Sequence, residues 1–167
     1  MSKTDYNLTR IKAVVFDVDG VLSPCTIPVG EDGVPQRMAN VRDGYAIKYA
    51  VEHGFRICII TGARSKGVTN RMAKLGVTDF FDNIPDKLPV LKKWMEENNF
   101  NRSEVAYVGD DIPDLECMGY VGLPITPADG SIDAKAAARY ITIARGGHGV
   151  ARELLEQILK AKGLWNI

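Results

Sequence analysis

The chain has 167 residues, 46% of them hydrophobic and 25% charged, enough for one domain to bury a core. Lys and Arg total 21 and so do Asp and Glu, so no global field draws the protein to nucleic acid or to an anionic membrane, and no stretch approaches the ~18 apolar residues of a membrane span. Three cysteines, Cys25, Cys58 and Cys117, with no C-x-x-C pair and no histidine cluster, argue against a disulfide framework and a zinc site; with no apolar leader in residues 1–10, a cytoplasmic protein is expected.

Residues 11–16 form an apolar run that predicts a first strand. Residues 25–41 break the regular succession of strands and helices: CTIPVG and VPQRMANV flank Glu31-Asp32-Gly33 and predict a small β-hairpin inserted after that strand. A helix is predicted over 44–52, a strand over 55–60, helices over 65–75 and 87–98, a strand over 105–108, another over 140–143 and a last helix over 149–162. The alternation predicts an α/β fold of βαβ units with a parallel sheet. KAVVFD, RICIIT and EVAYVGD are apolar throughout, as expected of central strands covered by helices on both faces. Without repeat, linker or low-complexity tract, residues 1–167 are expected to form a single domain.

Each of those three runs ends in a polar cluster: Asp17-Val18-Asp19-Gly20, Thr61-Gly62, and Gly109-Asp110-Asp111. Open α/β sheets bind ligands at the carboxyl ends of their strands, so the clusters should share one crevice. Asp17 and Asp19 would face opposite ways on a regular strand, but Gly20 permits a sharp turn that brings both acids to the same side. Gly109-Asp110-Asp111-Ile112-Pro113-Asp114 packs three acids into a short span, a costly arrangement unless a cation sits among them. A strand-end Thr61 ordinarily caps a helix, and a helix-start Lys87 is ordinarily solvated; their place in the ordered series assigns both to the site.

That series resembles the haloacid dehalogenase superfamily, with Asp17-Val18-Asp19-Gly20-Val21, Thr61-Gly62, Lys87 and Gly109–Asp114 standing as its four motifs in order. The resemblance implies a Rossmann-like core, Asp17 as a nucleophile that forms a phosphoaspartate, Asp19 as general acid/base, and Mg²⁺ held by Asp17, Asp110 and the backbone carbonyl of Asp19. A carboxylate attacking phosphorus needs such a cation to screen the phosphoryl oxygens, and Mg²⁺ favours few carboxylates and retained waters. Thr61 would bind the phosphoryl oxygens, Lys87 would neutralise the transition state, and Asp111 and Asp114 would orient waters at the ion, with Asp114 a partner for Lys87.

Neither the hairpin nor the 25 residues between Thr61 and Lys87 can hold a cap domain. Among capless members, the blocks Val41-Arg42-Asp43-Gly44-Tyr45 and Gly146-Gly147-His148-Gly149-Val150-Ala151-Arg152-Glu153 are similar to the phosphatases acting on 3-deoxy-D-manno-octulosonate 8-phosphate in lipopolysaccharide precursor synthesis. That similarity implies a homotetramer in which hairpins pack together and a Gly-rich tail, residues 145–153, closes a neighbour's site over a phosphorylated keto-sugar acid. It makes Thr61, Gly62, Arg64, Arg42, Asp43, Lys87, Gly147, His148 and Arg152 the candidates for substrate contact, with Lys66 a further basic side chain nearby. Ser23-Pro24-Cys25, where the family commonly has Thr-Asp-Gly, and Ala63-Arg64 leave the nine-carbon 2-keto-3-deoxynononate 9-phosphate as the alternative substrate. A non-catalytic tetrameric subunit is the alternative from another class, against which no motif acid, Thr61 or Lys87 is missing.

Overall fold

The computed structural model describes residues 4–167. In chain order the elements are β1 (Ala13–Phe16), α1 (Val41–Glu52), β2 (Arg56–Ile60), α2 (Lys66–Lys74), β3 (Asp79–Phe81), α3 (Lys87–Glu97), β4 (Val105–Val108), α4 (Leu115–Tyr120), β5 (Leu123–Thr126), α5 (Ile132–Ala137), β6 (Tyr140–Ile141) and α6 (Val150–Ala161). The strands form one parallel sheet in the order β3-β2-β1-β4-β5-β6.

The three apolar runs occupy the centre, as their composition requires. All four residues of β1 and of β4 are buried, and β2 exposes only Arg56. Alternate side chains feed two cores. Val14, Phe16, Ile57 and Ile59 pack with α1, α2 and α6 through Ile47, Met72, Leu155 and Ile158. Val15, Cys58, Ile60 and Tyr107 pack with α3, α4 and α5 through Leu91, Trp94, Met118 and Ala134. No helix among the described residues is long and apolar enough to cross a membrane.

Helix α1 starts three residues before the predicted 44, because the Asn40 side chain accepts from the amides of Arg42 and Asp43 and so caps the first turn. Strand β6 ends at Ile141 instead of 143, since the amides of Ile143 and Ala144 both donate to the Glu153 carboxylate. The hairpin insertion closes through a single antiparallel bridge, Val29 to Pro35, around a turn in which the Gly33 amide donates to the Gly30 carbonyl at 2.9 Å. Pro28 and Pro35 have no amide hydrogen to extend a ladder. Val29, Val34 and Met38 point outward, 69%, 56% and 63% exposed.

Candidate active site

The sheet order reverses direction between β1 and β4, and there the carboxyl ends of β1, β2 and β4 open a crevice of about 490 Å³. Asp17, Asp19, Thr61, Gly62, Lys87, Asp110, Asp111 and Asp114 all line it. The turn after β1 works as its sequence suggested: Gly20 has φ +78°, and a Cβ there would lie 1.9 Å from Asp110 Oδ2. Gly109 is equally confined, its would-be Cβ 2.3 Å from that of Asp114. The two acidic loops therefore touch, and glycine is what lets them.

Buried Lys87 is the hub. Its Nζ lies 3.1 Å from Asp17 Oδ2 and donates to Asp114 Oδ1 at 2.8 Å. Tyr107 donates its hydroxyl to the same Asp114 oxygen at 2.7 Å, and Asp114 Oδ2 accepts from the Asp110 amide at 3.0 Å. Asp114, 1% exposed, thus accepts from three donors and pins Lys87, Tyr107 and the β4 loop together. Its side chain caps no helix. Oxygens of Asp17, Asp110 and Asp114 lie within 4.8 Å of one another. Burial, then the charge of Asp114, pushes Asp17 up to about 7, and burial with the charge of Asp17 does the same to Asp110. Burial alone would lower Lys87, but Asp17 and Asp114 outweigh it and hold its ammonium above the ordinary value. Three carboxylates against one ammonium leave the cluster short of positive charge.

Thr61 is buried and does not cap α2, whose N-cap is Ser65. Its Oγ1 accepts from the Ala63 amide at 3.2 Å, which places hydroxyl and loop amides on the crevice wall. Asp19 is gripped by Arg37, with Nε to Oδ1 at 2.8 Å and Nη2 to Oδ2 at 2.9 Å. Arg37 and the crevice-lining Cys25 were not among the sequence candidates. The one available signal for Arg37 was that it is the only basic residue in the hairpin.

The other candidates lie elsewhere in the chain. Arg42 and Arg64 are exposed, with Arg64 Nε 3.8 Å from Asp82, and Lys66 opens α2. Asp43 is buried and caps α6 from α1, its Oδ1 accepting from the Arg152 amide at 2.7 Å, while its Oδ2 has no hydrogen-bond partner among the described residues. The Arg152 guanidinium bonds Glu156 Oε2 at 2.7 Å and lies over the rings of Trp165 and Tyr45, away from the crevice. Gly146 and Gly147 brace the turn behind Asp19: the Gly147 amide donates to the Val21 carbonyl at 2.8 Å, and a Cβ on Gly146 would meet the Gly20 carbonyl oxygen at 2.0 Å. His148 Nδ1 lies 2.7 Å from the Gly146 carbonyl oxygen.

Comparison with known proteins agrees with this arrangement. The haloacid dehalogenase-like hydrolase family model matches residues 44–126. The 3-deoxy-D-manno-octulosonate 8-phosphate phosphatase KdsC of Escherichia coli K12 is 38% identical over 154 residues, 92% of this chain and 82% of its own. The crystal structure of the phosphatase of that name from Yersinia pestis superposes with a TM-score of 0.90 at 34% identity, covering 95% of this chain and 85% of that one. The Moraxella catarrhalis enzyme, solved with a magnesium ion, a phosphate ion and a KDO molecule, gives 0.89 at 33% identity over 95% and 91%. The chain is similar over nearly its whole length to the 3-deoxy-D-manno-octulosonate 8-phosphate phosphatases, belongs to the haloacid dehalogenase-like hydrolases, and is a capless phosphatase.

Proposed function

We propose that this phosphatase hydrolyses 3-deoxy-D-manno-octulosonate 8-phosphate, with Mg²⁺ as cofactor and Asp17 as nucleophile, in the cytoplasmic synthesis of a lipopolysaccharide precursor. The observation that carries the reading is the placement of Asp17: 7% exposed, on the crevice floor, with Oδ2 beside Lys87 and Oδ1 accepting from the Val18 amide at 2.7 Å. The donor set fits Mg²⁺, being hard oxygens gathered around too little positive charge. Asp17, Asp110 and the Asp19 carbonyl would hold it, with Asp114, the more deeply buried and already bound by three donors, behind them. When bound it supplies screening between carboxylate and phosphoryl oxygens.

The residues divide the remaining work. A carboxylate oxygen of Asp17 attacks phosphorus, and the ester P–O bond breaks with its electrons going to the sugar oxygen, which takes a proton from Asp19. Thr61 and the amides that follow it bind the equatorial oxygens, while Lys87 offsets the charge that grows on them. Asp19, now ionised, takes a proton from water as the water's oxygen attacks the phosphoaspartate, which frees inorganic phosphate and restores Asp17. Shielding from bulk water falls to neighbouring subunits in the homotetramer we assign to the protein, with hairpins packed through Val29, Val34 and Met38; the residue 145–153 segment, expected to close a neighbour's site, is instead bound to the Gly20–Val21 turn and the start of α6 of its own subunit.

The test is phosphate release from a panel of phosphorylated keto-sugar acids by purified protein, with and without chelator. The eight-carbon ester should give the highest kcat/KM, EDTA should abolish turnover and Mg²⁺ should restore it. Preference for the nine-carbon ester would refute the substrate, and full activity in EDTA the cofactor.

A further inference from the structure

The acid/base candidate is not free to act. The fork that Arg37 places on Asp19 occupies both carboxylate oxygens, at 2.8 and 2.9 Å, the geometry in which a guanidinium holds a carboxylate best. The two side chains differ in exposure: Arg37 is 6% exposed and Asp19 is 36% exposed. Asp19 faces the crevice. Arg37 stands behind it and lines a second groove of about 460 Å³ between hairpin residues 35–39 and α2. The ion pair is the partition between the two spaces.

A side chain so little exposed favours an anionic partner for its guanidinium, since charge taken from water and left alone is destabilising. The hairpin offers no substitute, because its two acids, Glu31 and Asp32, are exposed at the turn. Asp19, for its part, has to turn an oxygen to the leaving group, and the fork holds its carboxylate in one orientation. One event meets both requirements: the arrival of another carboxylate. The phosphorylated keto-sugar acid assigned above carries one, of the same chemistry as the group it would displace.

We propose that Arg37 is the specificity-determining residue, exchanging Asp19 for the carboxylate of the substrate, so that Asp19 is released into the crevice only when a sugar phosphate bearing a carboxylate is bound. A neutral sugar phosphate leaves the pair closed and Asp19 tethered. Discrimination then lies in assembling the catalytic constellation, in addition to affinity. The proposal rests on the keto-sugar acid reading of the substrate.

The experiment compares wild type, Arg37→Lys and Arg37→Met on 3-deoxy-D-manno-octulosonate 8-phosphate and on glucose 6-phosphate, a primary phosphate ester without a carboxylate. For Arg37→Met, kcat/KM on the acid should fall about 10- to 100-fold, as for a lost charge-assisted fork, while turnover of glucose 6-phosphate rises because nothing tethers Asp19. Arg37→Lys keeps the charge without the fork and should fall between; it decides the matter if Arg37→Met does not fold. Equal losses on both substrates would reduce Arg37 to a residue that positions Asp19, and unchanged kinetics on both would remove it from the reaction; either overturns the proposal alone. A wild type that turns over no keto-sugar acid phosphate refutes the substrate reading and this proposal with it.

Discussion

At the scale of single residues, the site assigns unlike tasks to two acids two positions apart, and substitution should separate them. Asp17→Asn should abolish turnover, because an amide does not attack phosphorus, while Asp19→Asn should still accept phosphate from the substrate and stall before hydrolysis. Quench-flow detection of acid-stable phosphate on the protein distinguishes the two, and substantial steady-state activity in Asp17→Asn would exclude it as nucleophile. Asp17, Thr61 and Asp110 were legible in the sequence for a physical reason: each ends an apolar run long enough to be a central strand, so the sheet delivers it to the crevice. Lys87 was legible only through its place in the series, since nothing local reveals that its ammonium is buried between Asp17 and Asp114. Arg37 was not legible. Its contact with Asp19 spans 18 positions through an insertion without regular periodicity.

At the scale of elements, α6 begins without a cap of its own. Its N-cap is Gly149, at φ +108°, and the missing acceptor is Asp43, reaching across from α1. That arrangement has a pH signature. Burial raises Asp43 from 3.8 to about 6 in the folded protein, although the amides of Arg152 and Ala151 and the charge of Arg152 pull the other way. A carboxyl raised on folding contributes its stability below the unfolded value and loses it as pH climbs through the folded one. Wild type should therefore lose stability relative to Asp43→Asn between about pH 4 and pH 6, by up to about 3 kcal/mol. Urea titrations of both proteins across that range check it, and a difference moving in the opposite direction would contradict the burial argument. Sequence patterning placed Asp43 on a helix start but could not show that it serves a different helix. Nor did it resolve β3, β5, α4 and α5, whose three to six residues are too few for periodicity to register.

At the scale of the molecule, the crevice is open because no cap covers it, and the proposed remedy is assembly. Val29→Glu combined with Val34→Glu places charge on the outward face of the hairpin, outside the crevice lining, and should split the proposed tetramer. Sedimentation should show the smaller species, and kcat/KM for the sugar acid should fall by about tenfold or more while p-nitrophenyl phosphate, which needs no enclosure of a sugar, falls less. Wild type sedimenting as a monomer, or a dissociated variant with unchanged sugar kinetics, would refute the shared site. Within one chain, the contact of Gly146 and Gly147 with Gly20 and Val21 has a temporal meaning. The turn behind the nucleophile is made early in synthesis, whereas the segment that braces it comes after the last strand of the sheet. A chain that has paired every strand still holds Asp19 on a loop whose brace lies further along, so the support of the site is completed after the sheet, by residues 146–147 and the α6 core that follows them.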